Sequence, residues 1–127
     1  MNYINHTVRG VPYSKSKTRG DKIAAKQWTE EVKKQTRRLG HVKDACILKV
    51  MFLLPPNKFP PDYRYGPDLD NLLKRFLDAL NETVFSEAAG NDSCIVSMTV
   101  MKTEVASSQE AGAHFEIMPV TVPQQGG

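Results

Sequence analysis

The sequence predicts an α/β fold: a two-layer β-α-β-α-β-β domain with two helices packed on a small mixed sheet. Three observations predict it. Two stretches free of Gly and Pro, 21–39 and 69–80, carry apolar residues at helical spacing. Between them, Ala45–Leu54 is apolar at nearly every position, and beyond Cys94 apolar and polar residues alternate.

Taken in order, Tyr3–Val8 is short and β-leaning, a first strand. Arg9–Gly20 follows with two glycines, a proline, one tyrosine and cations that include Lys15, Lys17 and Arg19, so it reads as a basic loop. The first helix spans about Asp21 to Leu39, with Ala24, Trp28, Val32 and Leu39 as its apolar stripe and Gly40 as its stop. Lys33, Lys34, Arg37 and Arg38 load its C-terminal turns, where cations suit the helix dipole. Trp28 reads as a core anchor. Ala45–Leu54, interrupted only by Lys49, fits a central strand covered on both faces. Five of the eight prolines then fall between 55 and 67, which makes a stiff loop. Leu69, Leu72, Leu73, Phe76, Leu77 and Leu80 form the strongest helical pattern in the chain. Asn81–Asp92 reads as a loop around Gly90. In the next strand Cys94, Val96, Met98 and Val100 share the inward face, and His114–Met118 returns as the second strand of a hairpin. One domain over 1–118 and a disordered tail over 119–127 complete the reading.

Composition narrows the function. The chain has 127 residues, enough to bury roughly two-thirds of its unfolded surface in one core. With 40 % hydrophobic and 24 % charged residues it is neither disordered nor fibrous. No apolar run approaches the ~20 residues of a membrane span, and the N-terminus lacks a signal-peptide pattern, so a soluble cytoplasmic protein without a membrane partner is expected. Cys46 and Cys94 sit in apolar stretches, and His6, His41 and His114 are scattered, so neither a zinc site nor a disulfide framework is expected and both cysteines read as buried apolar residues. Charge is unevenly spread. Residues 1–43 hold eleven Lys/Arg against three acids, a net +8, whereas residues 44–127 hold six against eleven, a net −5. Such asymmetry suits a polyanion-binding surface beside an acidic site, and equally a solvated helix face.

The informative segment is Asp68-Leu69-Asp70-Asn71-Leu72-Leu73-Lys74. Two carboxylates stand at the start of the second helix, and Lys74 lies one turn beyond Asp70 on the same face. A third acid, Asp92, precedes the last two strands, where the loop could return it beside the helix start. Clustered carboxylates repel unless a cation joins them, and Mg²⁺ prefers such oxygen ligands while keeping waters that serve as nucleophiles. A neighbouring lysine would neutralise charge building on a phosphate. Each residue also has an ordinary reading: Asp68 as N-cap, Asp70–Lys74 as a surface pair, Asp92 as turn chemistry.

The run from Asp68 to Lys74, then Asp78-Ala79-Leu80, then Asn91-Asp92 before an apolar strand ending near Lys102, resembles the RusA-type Holliday junction resolvases, small and often phage- or prophage-borne endonucleases of DNA recombination and repair. The resemblance is specific between 68 and 92, loose before 45 and absent beyond about 118. It implies Mg²⁺-dependent hydrolysis, with Mn²⁺ as a substitute, at Asp68, Asp70 and Asp92 as metal-binding catalytic carboxylates and Lys74 as the catalytic lysine. Asn91 stands where a second acid can occur in the family. The resemblance also implies a homodimer with two active sites acting on four-way DNA junctions. The basic third then supplies phosphate contacts, with Lys15, Lys17, Arg19, Lys22 and Lys26 as the DNA-binding candidates. Tyr13 reads either as a base-stacking platform or as a loop anchor, and Tyr63 and Tyr65 read more readily as loop packing than as DNA contacts. The competing function is a catalytically silent junction-binding module of the same fold, which would gain nothing from three acids facing a polyanion. A small Asp-x-Asp phosphatase is disfavoured because thirteen residues separate Leu54 from Asp68.

Overall fold

The computed structural model describes residues 3–14 and 22–120. Six main elements follow the expected order: β1 (Ile4–Arg9), α1 (Lys22–Thr36), β2 (Cys46–Leu54), α2 (Leu69–Leu80), β3 (Ile95–Glu104) and β4 (Gly112–Pro119). Two helices pack on a mixed four-stranded sheet, ordered β1-β4-β2-β3. β2 and β3 run parallel, as the α2 crossover between them requires. β4 is antiparallel to both its neighbours, β1 and β2.

The expected hairpin of the last two strands is therefore corrected. β4 does not pair with β3; it crosses the end of β2 and inserts between β2 and β1. In that place Ala113, Phe115 and Ile117 are fully buried, whereas β3 is the edge. Gly112 makes the insertion feasible, because a Cβ there would meet the Val8 carbonyl oxygen of β1.

β2 is central, yet only one of its faces is fully covered. Cys46, Leu48, Val50, Phe52 and Leu54 are buried under the helices, while Ile47, Met51 and Leu53 are half-buried and Lys49 is exposed on the opposite face. The continuous apolar run thus reflects one helix layer and one partly open face. On β3 the expected inward set also fails in part. Val96 and Met98 are exposed, because β3 is an edge and an irregular register at its start sets Ile95 and Ser97 against the consecutive Cys46 and Ile47, leaving Val96 without a partner.

Phe76 of α2 is the hub of the core. It stacks with Trp28 of α1 (ring centroids 6.5 Å apart) and meets Phe52 and Phe115 edge-on at 5.7 and 5.4 Å. These contacts tie both helices to both central strands. α1 ends at Thr36 rather than near Leu39, and the Thr36 hydroxyl, fully buried, contacts the Val32 carbonyl and Thr83. The 81–92 segment is more than a loop: Val84 and Phe85 are fully buried, and the Val42 N–H donates to the Val84 carbonyl at 2.9 Å. Cys46 is buried and Cys94 half-buried, both as free thiols; burial first, then the neighbouring Cys94, pushes the Cys46 thiol up to about 12. At the C-terminus β4 includes Pro119, and the Val120 N–H donates to Ala45, so the fold extends two residues into the expected tail. Residues 121–127 lie outside the described residues. Among the described residues no helix is long and apolar enough to cross a membrane.

Candidate active site

α2 begins where the proline-rich segment releases the chain. Two short 3₁₀ turns, Pro56–Lys58 and Pro61–Tyr63, compact that segment. Gly66 then takes φ +72°, and an added Cβ would lie 2.7 Å from the Phe59 ring, so only glycine turns the chain here. Pro67 follows, and Asp68 is extended at the N-cap of α2 (φ −68°, ψ 136°). The Lys102 ammonium of β3 donates to the Pro67 carbonyl at 2.6 Å and pins the lead-in to the sheet.

The ordinary readings of this segment find little support in the geometry. Asp68 occupies the N-cap position, but its side chain makes no capping hydrogen bond and is exposed. Asp70 sits in the first turn, exposed, and among the described residues its Oδ1 accepts the N–H of the next residue, Asn71, at 3.0 Å. Lys74 lies one turn on, also exposed, with no ion pair to Asp70 within 4.0 Å. Among the described residues, the helix therefore leaves the Asp68 carboxylate, one oxygen of Asp70 and the Lys74 ammonium to solvent. Lys74 shares a recess of about 190 Å³ with Asn71, Arg75 and Asp78.

Asp92 departs from the expected location. It belongs to a short 3₁₀ turn, Asn91–Cys94, and one of its oxygens accepts a hydrogen bond from the Asn81 amide at 3.0 Å. Asn81 closes the C-terminal end of α2. The loop thus returns Asp92 to the end of the helix, not to its start, because β3 runs antiparallel to α2 and Asp92 precedes β3. Among the described residues no group of three His, Cys, Asp or Glu side chains could hold a metal ion. What surrounds Asp68 in the same chain is instead a shallow groove lined by Asp62, Tyr63, Arg64, Tyr65 and Lys102. Tyr63 and Tyr65 are exposed rather than packed, and Arg64 lies over the Tyr65 ring.

The basic side of the molecule divides in two. Lys15, Lys17 and Arg19 lie outside the described residues. Lys22 and Lys26 are exposed on α1 and line a groove of about 550 Å³ with Tyr13, Thr29, Glu30 and Arg75. Tyr13 is buried, 7 % exposed, with the Arg75 guanidinium 4.8 Å over its ring, which makes it a loop anchor rather than a stacking platform. Arg75 lines both this groove and the Lys74 recess, so it links the α1 cations to the helix that carries the acids. Its one signal was its place next to Lys74, on the edge between the apolar stripe and the solvent face. Lys102 and Arg64 were likewise visible only once the 55–67 segment was folded against β3.

No curated protein matches the chain. The family model described as Endodeoxyribonuclease RusA matches residues 5–118, from within β1 to near the end of β4, and so takes in every side chain described at the head of α2. A match of that extent, which includes the exposed Asp68, Asp70 and Lys74, places the chain in the RusA endodeoxyribonuclease family.

Proposed function

We propose that the protein is a Mg²⁺-dependent, structure-selective endonuclease that resolves four-way DNA junctions as a homodimer, with paired nicks in DNA recombination and repair. The observation that carries the reading is the head of α2: Asp68 caps nothing, Asp70 is exposed, and Lys74 lacks the ion pair its spacing offers.

The donor set fits the metal in its commonest form. Mg²⁺ is usually held by one or two carboxylates, with substrate phosphate oxygens and waters filling the other positions. Asp68 and Asp70 supply that pair. Bound there, the ion would lower the pKa of a water and neutralise charge on the phosphate. The chain's own residues do the rest. The carboxylates orient the phosphodiester by the groups they hold, and the stiff Gly66-Pro67 lead-in, tied to Lys102, fixes the position of Asp68. Lys74 offers its ammonium to a phosphate oxygen as negative charge grows during in-line attack. Water adds to phosphorus, the bond from phosphorus to the 3′ oxygen breaks, and that oxygen takes up a proton, leaving 5′-phosphate and 3′-hydroxyl ends.

The silent binding module has one observation on its side, the distance of Asp92 from the other two acids. The test separates the readings. Labelled four-way junctions and matched linear duplexes are incubated with the protein in Mg²⁺ or in EDTA. Junction-selective cutting that requires the metal is the expected result. Asp70→Asn should abolish cutting yet retain junction binding without metal, because it removes a charge that repels phosphate. Equal cutting of both substrates, full activity in EDTA, or a folded Asp70→Asn variant that still cuts would overturn the proposal.

A further inference from the structure

The segment that leads into α2 carries two tyrosines whose rings face solvent. Tyr63 is 47 % exposed and Tyr65 71 %, although the sequence pattern expects both to pack their loop. Other groups hold that loop in shape. The Tyr63 N–H donates to the Pro60 carbonyl at 2.8 Å, and the Gly66 N–H donates to the Tyr63 carbonyl at 3.0 Å. The Phe59 ring fills the space beside Gly66. Pro60, Pro61 and Pro67 fix the backbone on either side. The two rings are thus displayed on a stiff frame, and a ligand that stacks on them has little left to order.

The surroundings of the rings select the ligand. Tyr63 and Tyr65 line a groove of about 440 Å³ with Arg64, Gly66, Asp68 and Lys102, a size within the range of small-ligand sites. The Arg64 guanidinium lies 4.8 Å from the Tyr65 ring centroid and donates to the Tyr65 hydroxyl at 2.9 Å, so one aromatic surface is already backed by a cation. The Lys102 ammonium is turned onto the Pro67 carbonyl. Opposite these two cations stand two carboxylates, Asp62 and Asp68, and the lining carries no net formal charge. Phosphate binding runs on an excess of cations, which this groove does not have. A flat, neutral group with a π-face and hydrogen-bonding edges fits it better, and a nucleobase is such a group.

We propose that this groove receives an unpaired base of the DNA substrate, stacked on Tyr65 with Tyr63 lining the same groove, and that the seated base sets its strand beside Asp68. The role in junction recognition rests on the proposed nuclease function; the stacking itself does not. Aromatic stacking accepts any base, since every base has a π-face, and so it suits an enzyme that selects structure over sequence. At a branch point the helical stack is interrupted, and a base leaves it at lower cost than from a continuous duplex, where each base is paired and stacked on both sides. The groove therefore supplies what phosphate contacts at Lys22 and Lys26 do not, a contact that tells a branch from a linear arm. Asp68 forms part of the same lining, so the nucleotide whose base is seated there has its backbone close to the head of α2. Tyr65 and Tyr63 are on this account specificity-determining residues, with no part in the chemistry.

Binding measured in EDTA tests the groove apart from any cleavage. The probes are a short single-stranded oligonucleotide, the same strand with abasic residues at its central positions, a four-way junction and a linear duplex. Wild type should hold the base-bearing strand ~5- to 150-fold more tightly than the abasic one, and Tyr65→Ala should bind the two alike. Tyr65→Phe should restore the difference, because the ring and not the hydroxyl makes the contact. On the junction Tyr65→Ala should lose affinity by a similar factor, while its affinity for linear duplex and its melting temperature stay at the wild-type values. A wild type without preference for the base-bearing strand, or a Tyr65→Ala variant that keeps the preference, would overturn the proposal. So would a Tyr65→Phe variant that fails to restore it, or a Tyr65→Ala loss shared equally by junction and duplex, which marks a phosphate or folding contact. Absence of junction cutting by wild type in Mg²⁺, with the base-bearing preference intact, would instead strike the nuclease reading and leave the groove a base-binding site.

Discussion

At Lys74 a lysine stands four residues beyond an aspartate, the spacing of an ordinary helix ion pair, yet the pair is not made. The two roles open to this side chain differ sharply in what its removal costs. A surface ammonium contributes under ~0.5 kcal/mol to stability through its charge, and its loss should leave turnover intact. An ammonium that meets charge in the transition state is worth ~100-fold or more in rate. Lys74→Ala is expected to keep the wild-type melting temperature within a degree or so and to lose at least ~100-fold in single-turnover cleavage at saturating enzyme. Lys74→Arg should recover only part, since a planar fork does not reproduce the reach of a point charge. A Lys74→Ala rate within about threefold of wild type would contradict the assignment. The neighbouring Arg75 gives the contrast: its guanidinium is already engaged over the Tyr13 ring, so its natural work is packing and phosphate contact rather than chemistry.

The element on which the site depends is α2, and its position is set by one ring. Phe76 is fully buried and touches Trp28, Phe52 and Phe115, which lie on α1, β2 and β4. Truncating such a ring removes its transfer energy and leaves a cavity, about 3–5 kcal/mol in all. Phe76→Ala should lower the unfolding free energy in urea by that amount, and Phe76→Leu by clearly less because most of the volume stays. A loss below about 1 kcal/mol would mean that the helix is seated by something else. The helix itself was legible in the sequence, since Leu72, Phe76, Leu77 and Leu80 repeat at 3.6 residues and that period needs no knowledge of the rest of the chain. The order of the strands was not. Whether β4 lies beside β3 or between β1 and β2 is a non-local choice, and both arrangements satisfy the same apolar residues in Phe115 and Ile117. The position of Asp92 failed for a related reason: the spacing places it before β3, and only the parallel pairing of β2 with β3 decides which end of α2 that start lies against.

At the scale of the whole molecule, the basic third and acidic remainder do not translate directly into a DNA footprint. Lys33 is committed to Glu82 at 2.8 Å and Lys43 to Glu87 at 3.3 Å, so both fasten the N-terminal part of the chain to the segment after α2. Ion pairs of this kind hold elements together and remove cations from the surface available to phosphate. Lys22 and Lys26 share one groove with Arg75, and Arg75 also lines the Lys74 recess. That continuity suggests a track for one duplex arm leading into the head of α2, and the sequence could show only its Lys22 and Lys26 half. Its electrostatic signature is the salt dependence of binding. Each phosphate contact adds ~0.9 to the slope of log K against log salt on duplex arms. The triple variant Lys22→Ala, Lys26→Ala, Arg75→Ala should therefore shallow that slope by up to about 2.7. The loss should be shared by junction and linear duplex, because phosphate contacts carry no sequence information. Changing Lys33 and Lys43 instead should leave the slope nearly as it was and lower the melting temperature. Binding of labelled junction and duplex, measured between about 50 and 200 mM salt, checks both halves. An unchanged slope in the triple variant would place the DNA on another face of the protein.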